Sequence, residues 1–94
     1  MMSSNKSVAP PEIQSIFLDV LRERKRQDDL FGQSNQNDFV WLAVLSEEVG
    51  EASQCALHKE FGGNEAGNLR TELVQVAAVA IAWIENLDRD AAET

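Results

Sequence analysis

Val76-Ala77-Ala78-Val79-Ala80-Ile81-Ala82-Trp83-Ile84 is a run of nine residues without a polar side chain, and its reading decides the fold. Leu69, Leu73, Val76, Ala80, Trp83, Ile84 and Leu87 recur at helical spacing around it, which predicts a helix from a cap at Asn68 to about Asp88. Its middle is apolar on every side, so it needs neighbours on every side. Two further helices from a 94-residue chain can hardly supply them. The alanines at 77, 78, 80 and 82 would let a second copy come close. The expectation is an all-α fold, a helical bundle of three main helices per chain completed by oligomerisation, as a dimer or a dimer of dimers. At nine residues the run is far shorter than the ~20 that span a bilayer, so no membrane is expected.

Upstream, Asp38 to about Lys59 reads as a second helix, with Asn37 or Asp38 at its N-cap and Phe61-Gly62-Gly63-Asn64 as its break. Gly50 in its interior costs about 1 kcal/mol relative to alanine, which would make sense if a backbone or ligand approached there. A first helix starts at Pro10-Pro11-Glu12 and runs to about Asp29, with Ile13, Ile16, Phe17, Val20 and Leu21 on one face. Continuing that face by further turns lands on Arg24 and Gln27, so its inner stripe turns polar at one end. Arg22, Arg24, Lys25 and Arg26 hold half of the eight basic residues, and for Arg22, Lys25 and Arg26 a solvated helix end is the plainer reading. Residues 1–9 read as a disordered tail, 10–88 as the helical domain and 89–94 as a C-terminal tail. No strand-like alternation competes with this reading.

The chemistry is concentrated in Ser46-Glu47-Glu48-Val49-Gly50-Glu51. At 100° per residue Glu48 points the same way as Trp41, Val44, Ala52 and Cys55, so a carboxylate is aimed at the core, with Glu51 at the stripe's edge and Glu47 further round. On the third helix Glu72 shares the side of Val79 and Trp83, and Gln75 lies one turn from it. A buried carboxylate takes up a proton, pairs with a cation or binds a metal. Three carboxylates and an amide oxygen make an all-oxygen site suited to Mg²⁺, then Mn²⁺, rather than zinc. A di-iron carboxylate centre wants Glu-x-x-His pairs, which are missing. His58 is expected at the surface, and Cys55 as a small packed residue. A net charge of -8 argues against a nucleic-acid surface but not against phosphate held through cations. One cysteine and no leader-like start make the cytoplasm the expected location.

Glu47-Glu48-Val49-Gly50-Glu51, then Leu69-Arg70-Thr71-Glu72-Leu73-Val74-Gln75 after a Gly/Asn loop, resembles the Glu-Glu-x-x-Glu and Glu-x-x-Asp signature of the MazG-like all-α nucleoside triphosphate pyrophosphohydrolases. Glu23-Arg24-Lys25-Arg26-Gln27, Phe31-Gly32 and Trp41 to Leu45 are similar to the region before that signature, so the resemblance spans about Leu21 to Leu87. It implies an oligomeric helical bundle whose acids bind Mg²⁺, with water cleaving a nucleoside triphosphate between its α and β phosphates. By position it makes Glu48, Glu51 and Glu72 metal ligands, and Glu47 an auxiliary acid that orients or deprotonates the water. Phe31 stands where the resemblance suggests an aromatic against the base. Arg24 and Gln27 are candidates for phosphate or base contacts, and Trp41, on Glu48's side, for the base pocket, with core packing as its plainer role. Gln75 stands where the signature has aspartate, leaving at most a neutral oxygen ligand. The leading expectation is therefore an Mg²⁺-dependent pyrophosphohydrolase, of the house-cleaning kind that removes non-standard nucleotides. A non-catalytic nucleotide or metal binder blunted at Gln75, and a small acidic bundle for a basic partner, are the alternatives.

Overall fold

The computed structural model describes residues 10–93. Three α-helices follow in order: α1 (Pro11–Phe31), α2 (Asp38–Phe61) and α3 (Leu69–Ala92), the last entered through a short 3-10 turn, Ala66–Asn68. The described residues contain no strand, so the chain is all-α. The predicted tail at 1–9 lies outside the described residues. Residues 89–92, expected to begin a second tail, instead prolong α3. They do so because Arg89 is held, its Nε donating to Asn35 Oδ1 at 3.0 Å and a terminal nitrogen to the Ser34 carbonyl at 2.8 Å.

Local chemistry accounts for the helix ends. Proline at the first position of α1 suits a site whose N–H would have no helical acceptor. Asn37 caps α2, its side chain accepting from the Val40 N–H at 3.0 Å. At the other end the Gly62 N–H closes on the His58 carbonyl at 2.8 Å. Gly63 follows at φ 148°, where a Cβ would run into the His58 ring, so no larger residue fits without moving that ring. His58 is accordingly half-buried rather than a free surface residue, and its Nδ1 accepts from the Glu65 N–H at 3.1 Å. The expected cap at Asn68 does not form: its backbone already turns into the helix at φ -99°, ψ 1°, and its amide donates to Glu65 at 2.9 Å.

α3 lies between the other two helices. Both α1 and α2 pack on it, while their own backbones stay apart and their side chains meet around a cavity. The described chain is thus an open layer, 45 × 43 × 21 Å, rather than a closed three-helix bundle. Trp41, Val79 and Ala82 form the centre of the core, with Leu45 and Trp83 packed against them. Ala52 and Cys55 are buried too, the latter as expected for a small packed residue. α1 departs from its predicted burial: of Ile13, Ile16, Phe17, Val20 and Leu21, Val20 alone is buried, and Leu21 is 61% exposed. A helix with one neighbour covers one line of contact, not a stripe ~100° wide. On α3, Ile81 and Ile84 are exposed while Ala78, Val79 and Ala82 are buried, so the apolar run is covered along part of its circumference. A Cβ built on Gly50 meets nothing within 4 Å, so no close approach inside this chain requires that glycine. No helix among the described residues is long and apolar enough to cross a membrane.

Candidate functional site

Two features lie end to end on the facing sides of α2 and α3. The first is a cavity of about 280 Å³ where the end of α1, the following loop, α2 and α3 come together. Arg24, Gln27, Phe31 and Trp41, the four residues that the sequence nominates for substrate contact, all line it. Val40, Val44 and Ala82 complete an apolar wall. Trp41 is both core and wall, because its ring is buried in the core cluster while one side faces the cavity. Phe31 is largely exposed at the rim.

The second feature is the acid cluster. Glu48 and Glu51 on α2 and Glu72 on α3 each offer an oxygen, and these oxygens lie within 4.8 Å of one another. Around an octahedral Mg²⁺ the ligand oxygens stand about 3 Å apart when adjacent and about 4.2 Å apart when opposite. The donor set, all oxygen and all anionic, therefore fits a hard divalent cation after a slight inward turn of the side chains. Gln75 is half-buried beside it, its amide end 3.2 and 3.3 Å from the two Glu72 oxygens, where an N–H donates to the carboxylate. Turning that amide over would present its oxygen instead. Glu47 is exposed on the outer side, where its charge acts on Glu48.

Electrostatics mark the cluster as strained without a cation. Burial, the hydrogen bond and charge of Glu51, and the charges of Glu72 and Glu47 push the Glu48 carboxyl up to about 7. Glu72 is raised as well, by burial first and then by Glu51, Glu65 and Glu23. Because the folded pKa of Glu48 lies above its ordinary 4.5, the folded metal-free chain takes up a proton that the unfolded chain does not. Its contribution to stability is complete below about 4.5 and is lost as the pH rises through about 7. Thermal melts in EDTA should therefore show a Tm that falls between pH 5 and pH 8, and saturating Mg²⁺ should flatten the slope. A melting temperature independent of pH in EDTA would contradict this account.

The sequence reading missed several residues that shape the site. Asn86 is 2% exposed, and its Oδ1 accepts from the Trp41 Nε1–H at 2.8 Å and from the Gln36 backbone N–H at 2.7 Å. One side chain thus fixes both the cavity's indole and the loop that roofs it. Glu23, with a side chain 12% exposed, receives both Arg26 and Gln27, and the Arg26 guanidinium holds its carboxyl below the usual range against the opposing effect of burial. Arg24 lines the cavity with its guanidinium bonded to Glu85, Gln27 and Asp28 and its side chain 11% exposed, so its donors are already engaged within the chain. Asn86 and Arg89 carried a legible signal, since they continue the stripe of Val79 and Ala82 at helical spacing.

Compared with known proteins, the chain matches no family model, no curated protein and no solved structure.

Proposed function

We propose that the chain is an Mg²⁺- or Mn²⁺-dependent nucleoside triphosphate pyrophosphohydrolase of the MazG-like kind, acting as a homo-oligomer. The observation that carries the reading is the continuity of the apolar cavity with the acid cluster. Val44 is on the cavity wall and Glu48 lies four residues, about 6 Å, further along the same helix. On α3, Ala82 and Gln75 are about 10 Å apart in the matching direction. A planar base in the cavity therefore puts its phosphates at the carboxylates, with the sugar spanning the gap.

Glu48, Glu51 and Glu72 would hold the metal, with the Gln75 amide oxygen as a neutral fourth donor. A bound divalent cation neutralises phosphate charge, polarises the phosphoryl group and lowers the pKa of a bound water. The chain's own part is positional. Trp41 and Phe31 flank the base, Val44 and Ala82 exclude water beneath it, and Asn86 keeps the indole in one orientation. Glu47 takes the proton of the attacking water as its oxygen bonds to the α phosphorus, and the bond to the bridging oxygen breaks with release of pyrophosphate. Apolar side chains left open on α1 and on the central α3, among them Phe17, Leu21, Ile81 and Ile84, support a second copy as the missing cover.

A second reading, nucleotide binding without turnover, is favoured by one observation: Gln75 already spends its amide on Glu72. Pyrophosphate release from a panel of standard and modified nucleoside triphosphates, with Mg²⁺, Mn²⁺ or EDTA, separates the two. Metal-dependent release by the wild type is the expected result. Silence in the wild type with release by Gln75→Asp would establish the binding reading, and silence in both would remove the hydrolase.

A further inference from the structure

A second cleft, of about 230 Å³, lies between α1 and α3 and is lined by Asp19, Arg22, Glu23 and Arg26 from one helix and Arg70 and Thr71 from the other. Three guanidiniums meet two carboxylates there, a local surplus of positive charge in a chain whose net charge is -8. The pairing leaves donors to spare. Asp19 is divided between Arg70 at 2.8 Å and Arg22 at 3.6 Å, so the two cations share one anion. Arg26 spends its Nε and one terminal nitrogen on Glu23 at 2.9 and 2.7 Å, and a guanidinium has five N–H groups in all.

The three guanidiniums are open to solvent, with side chains 70% (Arg22), 53% (Arg26) and 63% (Arg70) exposed, so a ligand can reach them. Lys25 turns to Asp29 at 3.1 Å outside the cleft. Arg22 and Arg26 instead turn to the side where Arg70 arrives from the other helix. The cleft also adjoins the acid cluster, because Thr71 directly precedes Glu72 in sequence and Glu23 is close enough for its charge to act on Glu72.

We propose that this cleft is a pyrophosphate site, in which Arg22, Arg26 and Arg70 receive the two terminal phosphates of the nucleotide and hold them as the leaving group. It rests on the pyrophosphohydrolase reading for its role but not for its chemistry. Planar guanidiniums match phosphate oxygens two at a time, and three of them around one cleft suit a dianionic or more highly charged phosphoryl group better than a carboxylate. Exposed ion pairs such as Arg70–Asp19 contribute little to stability, so exchanging Asp19 for phosphate oxygens costs the fold little, while Glu23 keeps Arg26 and Gln27 and leaves the remaining Arg26 donors for the ligand.

Titration with inorganic pyrophosphate in EDTA, followed by calorimetry and by phosphorus NMR, tests the site without metal or turnover. The wild type should bind, and Arg26→Ala and Arg70→Ala should each weaken binding by about tenfold. Lys25→Ala should leave it unchanged, and Arg26→Lys should recover part of the loss because charge returns without the planar fork. Circular-dichroism melts identify any variant that fails to fold, for which Arg22→Gln with Arg70→Gln serves instead. Failure of the wild type to bind, or binding indifferent to all three arginines, overturns the proposal. Arginine-dependent binding in a protein that releases no pyrophosphate from any nucleotide would keep the cleft and remove the hydrolase. Turnover whose inhibition by pyrophosphate ignores the arginines would do the reverse.

Discussion

Glu72→Gln should shift the melting temperature in opposite directions with and without metal. In EDTA the variant should melt higher than the wild type, because Glu72 stands among carboxylates that raise its own pKa and that of Glu48. With Mg²⁺ at ten times the dissociation constant, the wild type gains about 1.4 kcal/mol of stability. For a chain of this size that raises Tm by on the order of 5–10 °C. In the variant this increment should vanish, since α3 contributes no other carboxylate to the cluster that Glu48 and Glu51 form from α2. Pyrophosphate release should fall by about 100-fold or more, equivalent to ~2.7 kcal/mol of transition-state stabilisation. Melts with and without Mg²⁺, beside a release assay, check both halves. A metal-induced rise that survives in Glu72→Gln would mean that the three carboxylates do not share one cation.

Asn86→Leu carries the largest expected cost in stability. Leucine nearly keeps the volume but leaves the Trp41 Nε1–H and the Gln36 N–H without the oxygen that now accepts from both. The buried indole N–H left unsatisfied costs about 1–3 kcal/mol and the partly buried Gln36 N–H about 1 kcal/mol, so a loss of about 2–4 kcal/mol is expected. That corresponds to a drop in Tm on the order of 10 °C or more. Indole emission should move to longer wavelength as the loop over the cavity loosens, and nucleotides should be bound more weakly and with less distinction between bases. Asn86→Asp keeps the acceptor but sets a carboxylate where Asn86 Nδ2 now donates to Asp90 at 3.3 Å. It should be milder at low pH and worsen as both acids ionise. A leucine variant that melts within a few degrees of the wild type would show that the loop does not depend on this side chain.

How far the sequence could be read depends on whether a residue's partner lies on its own helix. Glu48 and Glu72 contradict the amphipathic pattern of their helices, and that contradiction alone points them at each other across α2 and α3. The cap at Asn37 and the break at Gly62 are local and were legible for that reason. Asn86 offered the same kind of contradiction as Glu72, but near a helix end an amide reads as the onset of solvent. What it binds, an indole and a loop some fifty residues away, has no local trace. Arg24 was placed correctly at the polar end of the inner face. Its pair with Asp28 lies on its own helix, but its bond to Glu85 follows from how α1 lies on α3, which periodicity does not specify. The exposure of Ile16, Phe17 and Leu21 has the same cause: apolar spacing shows which face wants cover, not whether a neighbour reaches it.

The spacing of α1 and α2, whose backbones stay apart while their side chains meet around the cavity, bears on how the protein opens. α2 and α3 share the Trp41, Val79 and Ala82 cluster, whereas α1 contributes a buried Val20 and rests on α3 with ion pairs from Arg70 and Arg24. Its detachment would break the smaller apolar interface and leave the α2–α3 hairpin standing. In native-state hydrogen exchange α1 should therefore lose its amide protection as a unit, at a lower free energy than the hairpin, and more readily as added salt screens the pairs. A chain built this way can open by lifting one helix, without melting its core.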